Sequence, residues 1–423
     1  MSRAAALSPT KAALANGLVT IVKETRKTPI VAVNIAVRAG SICDAAGAMG
    51  SVNLLARVID RGTTARSAAD IAEAFDGRGV SLSVAVSRHL ISFVCTCLAE
   101  DFDAILAVIG DVIRNPIFPE AEIATRKGEV ITAIRQDADS PFVRAAEGLM
   151  EGLYGPAHPY GRRVKGTVES VEAITRDSLV RLHAERFAPA VTTAVIVGDV
   201  QTAAVHASIE RTFGDWRAAR PADVAVPAAP AVRERGTIVL PMMNKTQADV
   251  AYGFVSIART DPRYYAYWLA NHVVGQYAIG GRLGDSIRER QGMAYYAGSV
   301  FEANVAPGPL YVRAGVNPAN VDRAIASIDE ELVRARTGGL AQDELDNSRN
   351  YLIGSMPRAL ETNHGIGNFL QTNESFGLPL DYDTQLPGHL RAVTLDAANA
   401  AVREALDPGR ATIVIAGPYT GRG

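Results

Sequence analysis

The chain has 423 residues, more than one hydrophobic core normally serves, so two or more domains are expected. Apolar residues make up 48% and charged residues 21%, the balance of an ordinary water-soluble globular protein. A net charge of -2, with no dense Lys/Arg cluster, excludes a general attraction for nucleic acid or an anionic membrane surface. Cys43, Cys95 and Cys97 are too few for a disulfide framework, and no apolar run approaches the roughly 20 residues that span a bilayer.

In chain order, residues 17–23 (GLVTIVK) and 30–37 (IVAVNIAV) are rich in β-branched side chains and predict strands. Residues 50–63 (GSVNLLARVIDRGT) place Val52, Leu54, Leu55, Val58 and Ile59 at spacings of three and four before Gly62, which predicts a helix with one buried face. Asn53 and Arg57, four apart, share a face of it. Ser67 caps a short helix stopped by Gly77, and alternating strands follow over 80–86 and 90–98. Cys95 and Cys97 fall on one face of the second strand and are expected in the core, where free cysteine is at home.

Residues 101–114 carry an amphipathic pattern ended by Asn115-Pro116, and another helix begins near Pro119 and runs past Ala133. A polar loop over 154–166, a helix from Thr175 to about Arg186 and a buried strand over 192–198 (TTAVIVG) close the first half. Residues 217–235 are rich in Ala and Pro and are expected to be an extended linker.

Beyond the linker the pattern returns. Thr175 and Thr394, Pro189 and Pro408, and Gly198 and Gly417 are each 219 residues apart in matching contexts. A period this long indicates a duplicated domain rather than a solenoid. Helices interspersed with hairpin strands, without regular βα alternation, predict an α+β fold with a mainly antiparallel sheet in each half. The expected division is 1–216, a linker over 217–235, and 236–423.

The 50–63 segment resembles the zinc helix of the pitrilysin (insulinase, M16) family, roughly G-x-x-H-x-x-E-H followed by G-T, with Gly50, Gly62 and Thr63 in register. Asn53 and Arg57 stand where that pattern has its two zinc-binding histidines, and Ala56 where it has the general-base glutamate. The resemblance puts Ala133 at the third ligand, a glutamate in the family. Zinc wants three donors from neutral His, Cys or carboxylate, so no metal site is expected in this chain. The resemblance also makes the strand over 80–86 similar to the edge strand on which substrate peptides pair.

Residues 275–301 (GQYAIGGRLGDSIRERQGMAYYAGSVF) resemble the second hallmark of the family, a Gly-rich turn, a helix R-L-x-x-x-I-R-E and then G-x-A-Y. In family members an Arg and a Tyr there reach the zinc site of the opposite half, and Arg288 and Tyr295 match that pair. Arg282, Arg290 and Tyr296 are the near-register competitors. His158-Pro159-Tyr160 resembles a structural loop of the family.

The resemblance therefore implies a non-catalytic subunit of a heterodimeric zinc metallopeptidase, inactive alone. A sister subunit with the H-x-x-E-H helix would carry the zinc, peptides would be the substrates, and this chain alone could pair as a homodimer. The rival expectation is a structural or peptide-binding protein, like the respiratory core subunits of the same fold. The opening MSRAAALSPT lacks the apolar segment of an export signal. A periplasmic setting is expected from the resemblance alone.

Overall fold

Residues 6–231 and 234–421 are described by the structure, a computed structural model. Strands β1 (Thr10–Ala13), β2 (Val19–Glu24), β3 (Ile30–Val37), β4 (Ser83–Val86), β5 (Ile91–Leu98) and β6 (Thr192–Gly198) form a sheet in the order β1-β2-β6-β3-β5-β4. Burial follows position in the sheet. The central β3 and β6 are buried along nearly their whole length, as strands covered on both faces are. In β5, Ile91, Phe93, Cys95 and Cys97 point inward and alternate with more exposed residues, the period of a strand covered on one face. Burial pushes the Cys95 thiol up to about 12 and that of Cys97 to about 11, as expected of core cysteines. At the edge, β4 pairs only with β5 among the described residues.

Strands β7 (Gly236–Pro241), β8 (Ala248–Val255), β9 (Ala294–Phe301), β10 (Pro309–Val316) and β11 (Thr412–Gly417) form a second sheet in the order β7-β11-β8-β10-β9. Taking β7 for β2, β11 for β6, β8 for β3, β10 for β5 and β9 for β4 reproduces the first order. In both sheets one pair is parallel, β2 with β6 and β7 with β11, and the other pairs are antiparallel. The matched residues do matched work. Thr175 and Thr394 both cap helices through their side chains. Gly198 (φ +153°) and Gly417 (φ +140°) both end strands where an added Cβ would strike backbone, at 2.2 Å from Ile30 O and 2.6 Å from Ala248 Cα. The fold is α+β with two related domains, as the repeat implies.

Packing divides the chain differently from the linear 1–216, 217–235 and 236–423. One compact unit is Met1–Ile134, Arg163–Ala225 and Met356–Thr384, and the other is Arg135–Arg162, Val226–Ser355 and Gln385–Gly423. Each unit takes a helix from the other half of the sequence. In the first, the helix Asn363–Ser375 lays Ile366 and Leu370 against Ile21, Val195 and Val197. Asn363 Nδ2 donates to Ile30 O at 3.0 Å and Asn34 Nδ2 to Asn368 Oδ1 at 2.9 Å. In the second, the helix Pro141–Tyr154 lies on β8 and β11. Its Gly148 and Gly152 allow the approach: an added Cβ would sit 3.0 Å from Val414 and 2.8 Å from Thr412.

Two expected boundaries shift. The helix expected to run to Gly62 ends at Val58, and Gly62, at φ +143°, belongs to a loop bridged to Ser67. The strand expected over 80–86 is only Ser83–Val86, because the Val80 N–H donates to Phe75 O at 3.0 Å and closes the preceding helix end.

Candidate functional site

In the first unit, the helix Ser51–Val58 starts at Gly50, whose φ of +88° and whose approach to Lys165 O, 2.4 Å from an added Cβ, only glycine tolerates. The buried Asp44 carboxylate accepts the N–H groups of Gly50 and Val52, both at 2.8 Å, and so satisfies two donors at the helix start. Val52, Leu54, Leu55 and Val58 are almost fully buried, which leaves Asn53 and Arg57 on the outer face as the spacing predicts. Thr63 has a structural role, donating to Asp111 Oδ2 at 2.6 Å and accepting from Arg66 N–H at 2.9 Å.

That outer face lines an open cleft of about 370 Å³. Asn53, Ala56 and Arg57 line it, with Asp60 and Arg61 from the next turn, Leu82 just before β4, Val84, Ala85 and Val86 on β4, and Arg126 and Glu129 from the helix Glu120–Ala138. Ala133 lies one turn beyond Glu129 and outside the lining. Asp60 pairs with Arg61 at 3.1 Å, and burial nevertheless raises its pKa. Arg126 Nη1 donates to Glu129 Oε1 at 2.5 Å, which holds the Glu129 carboxyl below its ordinary range. Sequence reasoning named neither Arg126 nor Glu129.

Zinc does not fit this cleft. The side chains that Asn53, Ala56 and Arg57 bring to it are an amide, a methyl and a guanidinium, and both carboxylates that line it are held by arginines. Among the described residues no three His, Cys, Asp or Glu side chains group as a metal site.

In the second unit, Gly280 and Gly281, both at positive φ, press the chain to within 2.2 Å of Ala297 O and 2.4 Å of Val273 O, measured from an added Cβ. The helix that follows passes into a π-helical turn, Asp285–Arg290, anchored by the fully buried Leu283 and Ile287. Gly292, at φ +60°, ends it, its N–H donating to Arg288 O at 3.0 Å, and Met293 N–H donates to Ile287 O at 3.1 Å. On β9, Ala294 pairs with Val316 and Tyr296 with Gly315, so Tyr295 is the extra residue of a β-bulge. It is 87% exposed.

The competitors are engaged elsewhere. Arg282 Nε donates to Glu344 Oε1 at 2.7 Å and its Nη2 to Gly339 O at 3.1 Å. Arg290 pairs with Asp285 at 2.9 Å, and the Tyr296 hydroxyl donates to Asp249. Among the described residues Arg288 pairs only with its neighbour Glu289, at 3.6 Å. Of the near-register set, Arg288 and Tyr295 are the two whose donors face outward with little to hold them. The His158 loop is structural: its Nδ1 accepts from Tyr160 N–H at 3.0 Å and its ring stacks on Tyr154.

The family described as "Insulinase (Peptidase family M16)" matches residues 19–154, and that described as "Peptidase M16 inactive domain" matches residues 173–352. The chain belongs to peptidase family M16. It is 26% identical, over 87% of its length and 81% of the relative's, to an "Uncharacterized zinc protease" of Streptomyces coelicolor. It is 24% identical to a "Non-peptidase homolog" of Helicobacter pylori, over 90% of this chain and 88% of that one. In fold it matches a peptidase M16 inactive domain from Pseudomonas fluorescens, with a TM-score of 0.91, 23% identity and 99% of each chain covered. No helix among the described residues is long and apolar enough to cross a membrane.

Proposed function

We propose that this M16 chain is the non-catalytic subunit of a heterodimeric zinc metallopeptidase and supplies Arg288 and Tyr295 to the active site of a sister subunit. The zinc, the water it activates and the general base belong to that sister, which carries H-x-x-E-H. Peptides are the substrates. What carries the reading is the asymmetry between the two units: the cleft of the first offers no set of metal donors, whereas the second presents an exposed Tyr295 on a bulge and a weakly paired Arg288. A permanently charged guanidinium and a phenolic O–H are both donors, suited to hold a scissile carbonyl and the charge that develops on its oxygen.

The test mixes this chain with the sister subunit and follows peptide hydrolysis. Neither chain alone should cleave, and the mixture should. Removing one such donor costs on the order of 3 kcal/mol, so Arg288→Gln or Tyr295→Phe should each lower kcat by roughly a hundredfold without weakening the complex. Full activity of the double variant would end this reading. The similarity to a relative named a non-peptidase homolog favours a second reading, a structural or peptide-binding protein without proteolysis. It predicts no activity in any mixture.

A further inference from the structure

We propose that Tyr296 and Asp249 are positioning residues: their hydrogen bond, laid across Gly315, fixes the end of β9 from which Tyr295 projects. Their role presupposes the one proposed above for Tyr295. Ala297 and Ser299 are buried on β9, and plain alternation would turn Tyr295 to the same inward face. The bulge instead buries Ala294 and leaves Tyr295 exposed. A bulged residue has no ladder partner of its own, so the pairs beside it set its place. The nearest regular pair is Tyr296 with Gly315.

That pair is held by more than backbone. On β10, Gly315 lies opposite Tyr296 of β9 on one side and opposite Asp249 of β8 on the other. An added Cβ on Gly315 would come within 2.6 Å of Tyr296 Cε1, so only glycine leaves room for the ring to lie across the middle strand. From there the Tyr296 hydroxyl donates to Asp249 Oδ1, one strand further on. Gln247 Nε2 donates to Asp249 Oδ2 at 3.2 Å, and Phe142 packs T-shaped against the Tyr296 ring, 6.0 Å between centroids. The Arg313 guanidinium covers Phe142 in turn, 3.3 Å from the ring centre. Burial, and then the bond to Asp249, raises the pKa of Tyr296, so its hydroxyl stays a donor. Asp249 is 2% exposed, and the two side chains that bond it, Tyr296 and Gln247, are both neutral. A carboxylate in such a place is costly to bury, and what it adds is a fixed geometry rather than stability.

The experiment reads the full chain alone and in the mixture with the sister subunit. Alone, Tyr296→Phe should speed amide hydrogen exchange at residues 294–297 severalfold, with the rest of the sheet unchanged. In the mixture it should lower kcat roughly tenfold and leave KM unchanged, since a misaimed donor is missed in the transition state. Asp249→Asn keeps an acceptor and should lose less. Added to Tyr296→Phe it should cost nothing further, because the bond is already gone. Unchanged exchange, a loss confined to KM, additive losses, or full kcat in Tyr296→Phe where Tyr295→Phe is impaired would each overturn the positioning and leave the role of Tyr295 standing. A parent mixture that cleaves nothing, or a Tyr295→Phe mixture as active as the parent, would overturn the subunit reading and the positioning with it.

Discussion

Arg282, Arg288 and Arg290 share one short segment, and Tyr295 and Tyr296 are adjacent, yet their partners separate them completely. Arg282 is bound to Glu344 and Tyr296 to Asp249, side chains far away in sequence, so one-dimensional register could rank the candidates but could not show which were already committed. The buried His272 is a second case in which surroundings outweigh residue type. It packs against Tyr277 and Tyr351, its Nδ1 has no hydrogen-bond partner, and burial lowers its pKa to about 4. Unfolded, it would titrate near 6.5 and take up a proton that the folded side chain refuses. Its contribution is therefore complete above about pH 6.5 and is lost as the pH falls towards 4, by about 3 kcal/mol at most. Urea-denaturation midpoints between pH 7 and 4 should decline. His272→Phe should flatten that decline without abolishing it, since burial lowers His89 and His183 as well. An unchanged slope in the variant would show that His272 is not the group responsible.

Among elements, those set by local pattern were legible in the sequence and those set by register were not. The helix Ser51–Val58 follows from the spacing of its apolar residues, and its buried and outer faces are the expected ones. The cleft beside it was only half legible, because Arg126 and Glu129 reach it from a helix that begins at Glu120. The bulge at Tyr295 was not legible at all: it exists only in the pairing of β9 with β10. Gly292 is what lets the chain turn from the Arg288 turn into that strand. An added Cβ there meets nothing within 4 Å, so Gly292→Ala suffers only the strain of positive φ, about 1 kcal/mol. Thermal unfolding should drop by only a few degrees. Activity in the mixed-subunit assay should fall much further, because the same substitution disturbs the aim of Tyr295. Equal, small losses in both measurements would mean that the turn contributes stability alone.

For the whole molecule, the constant spacing of 219 between matched residues made the duplication legible, and the common strand order of the two sheets bears it out. The spacing said nothing about which sheet each helix covers. A periodic pattern shows that a helix has an apolar face; it carries no information about the surface that buries it. Here Pro141–Tyr154 belongs with β8 and β11, and Asn363–Ser375 with β3 and β6, so a cut at the linker separates each sheet from a helix it needs. Residues 1–216 made alone would lack Ile366 and Leu370 over Ile21, Val195 and Val197, and residues 217–423 would lack Leu149 against Gly253. Losing a helix's worth of buried side chains, at roughly 1.5 to 3 kcal/mol for each large one, exceeds the margin by which most domains are stable. Each fragment expressed by itself should therefore show weak near-ultraviolet circular dichroism and no cooperative melting. The two expressed together should recover both. A fragment 1–216 that melts cooperatively on its own would show that the exchanged helix is dispensable.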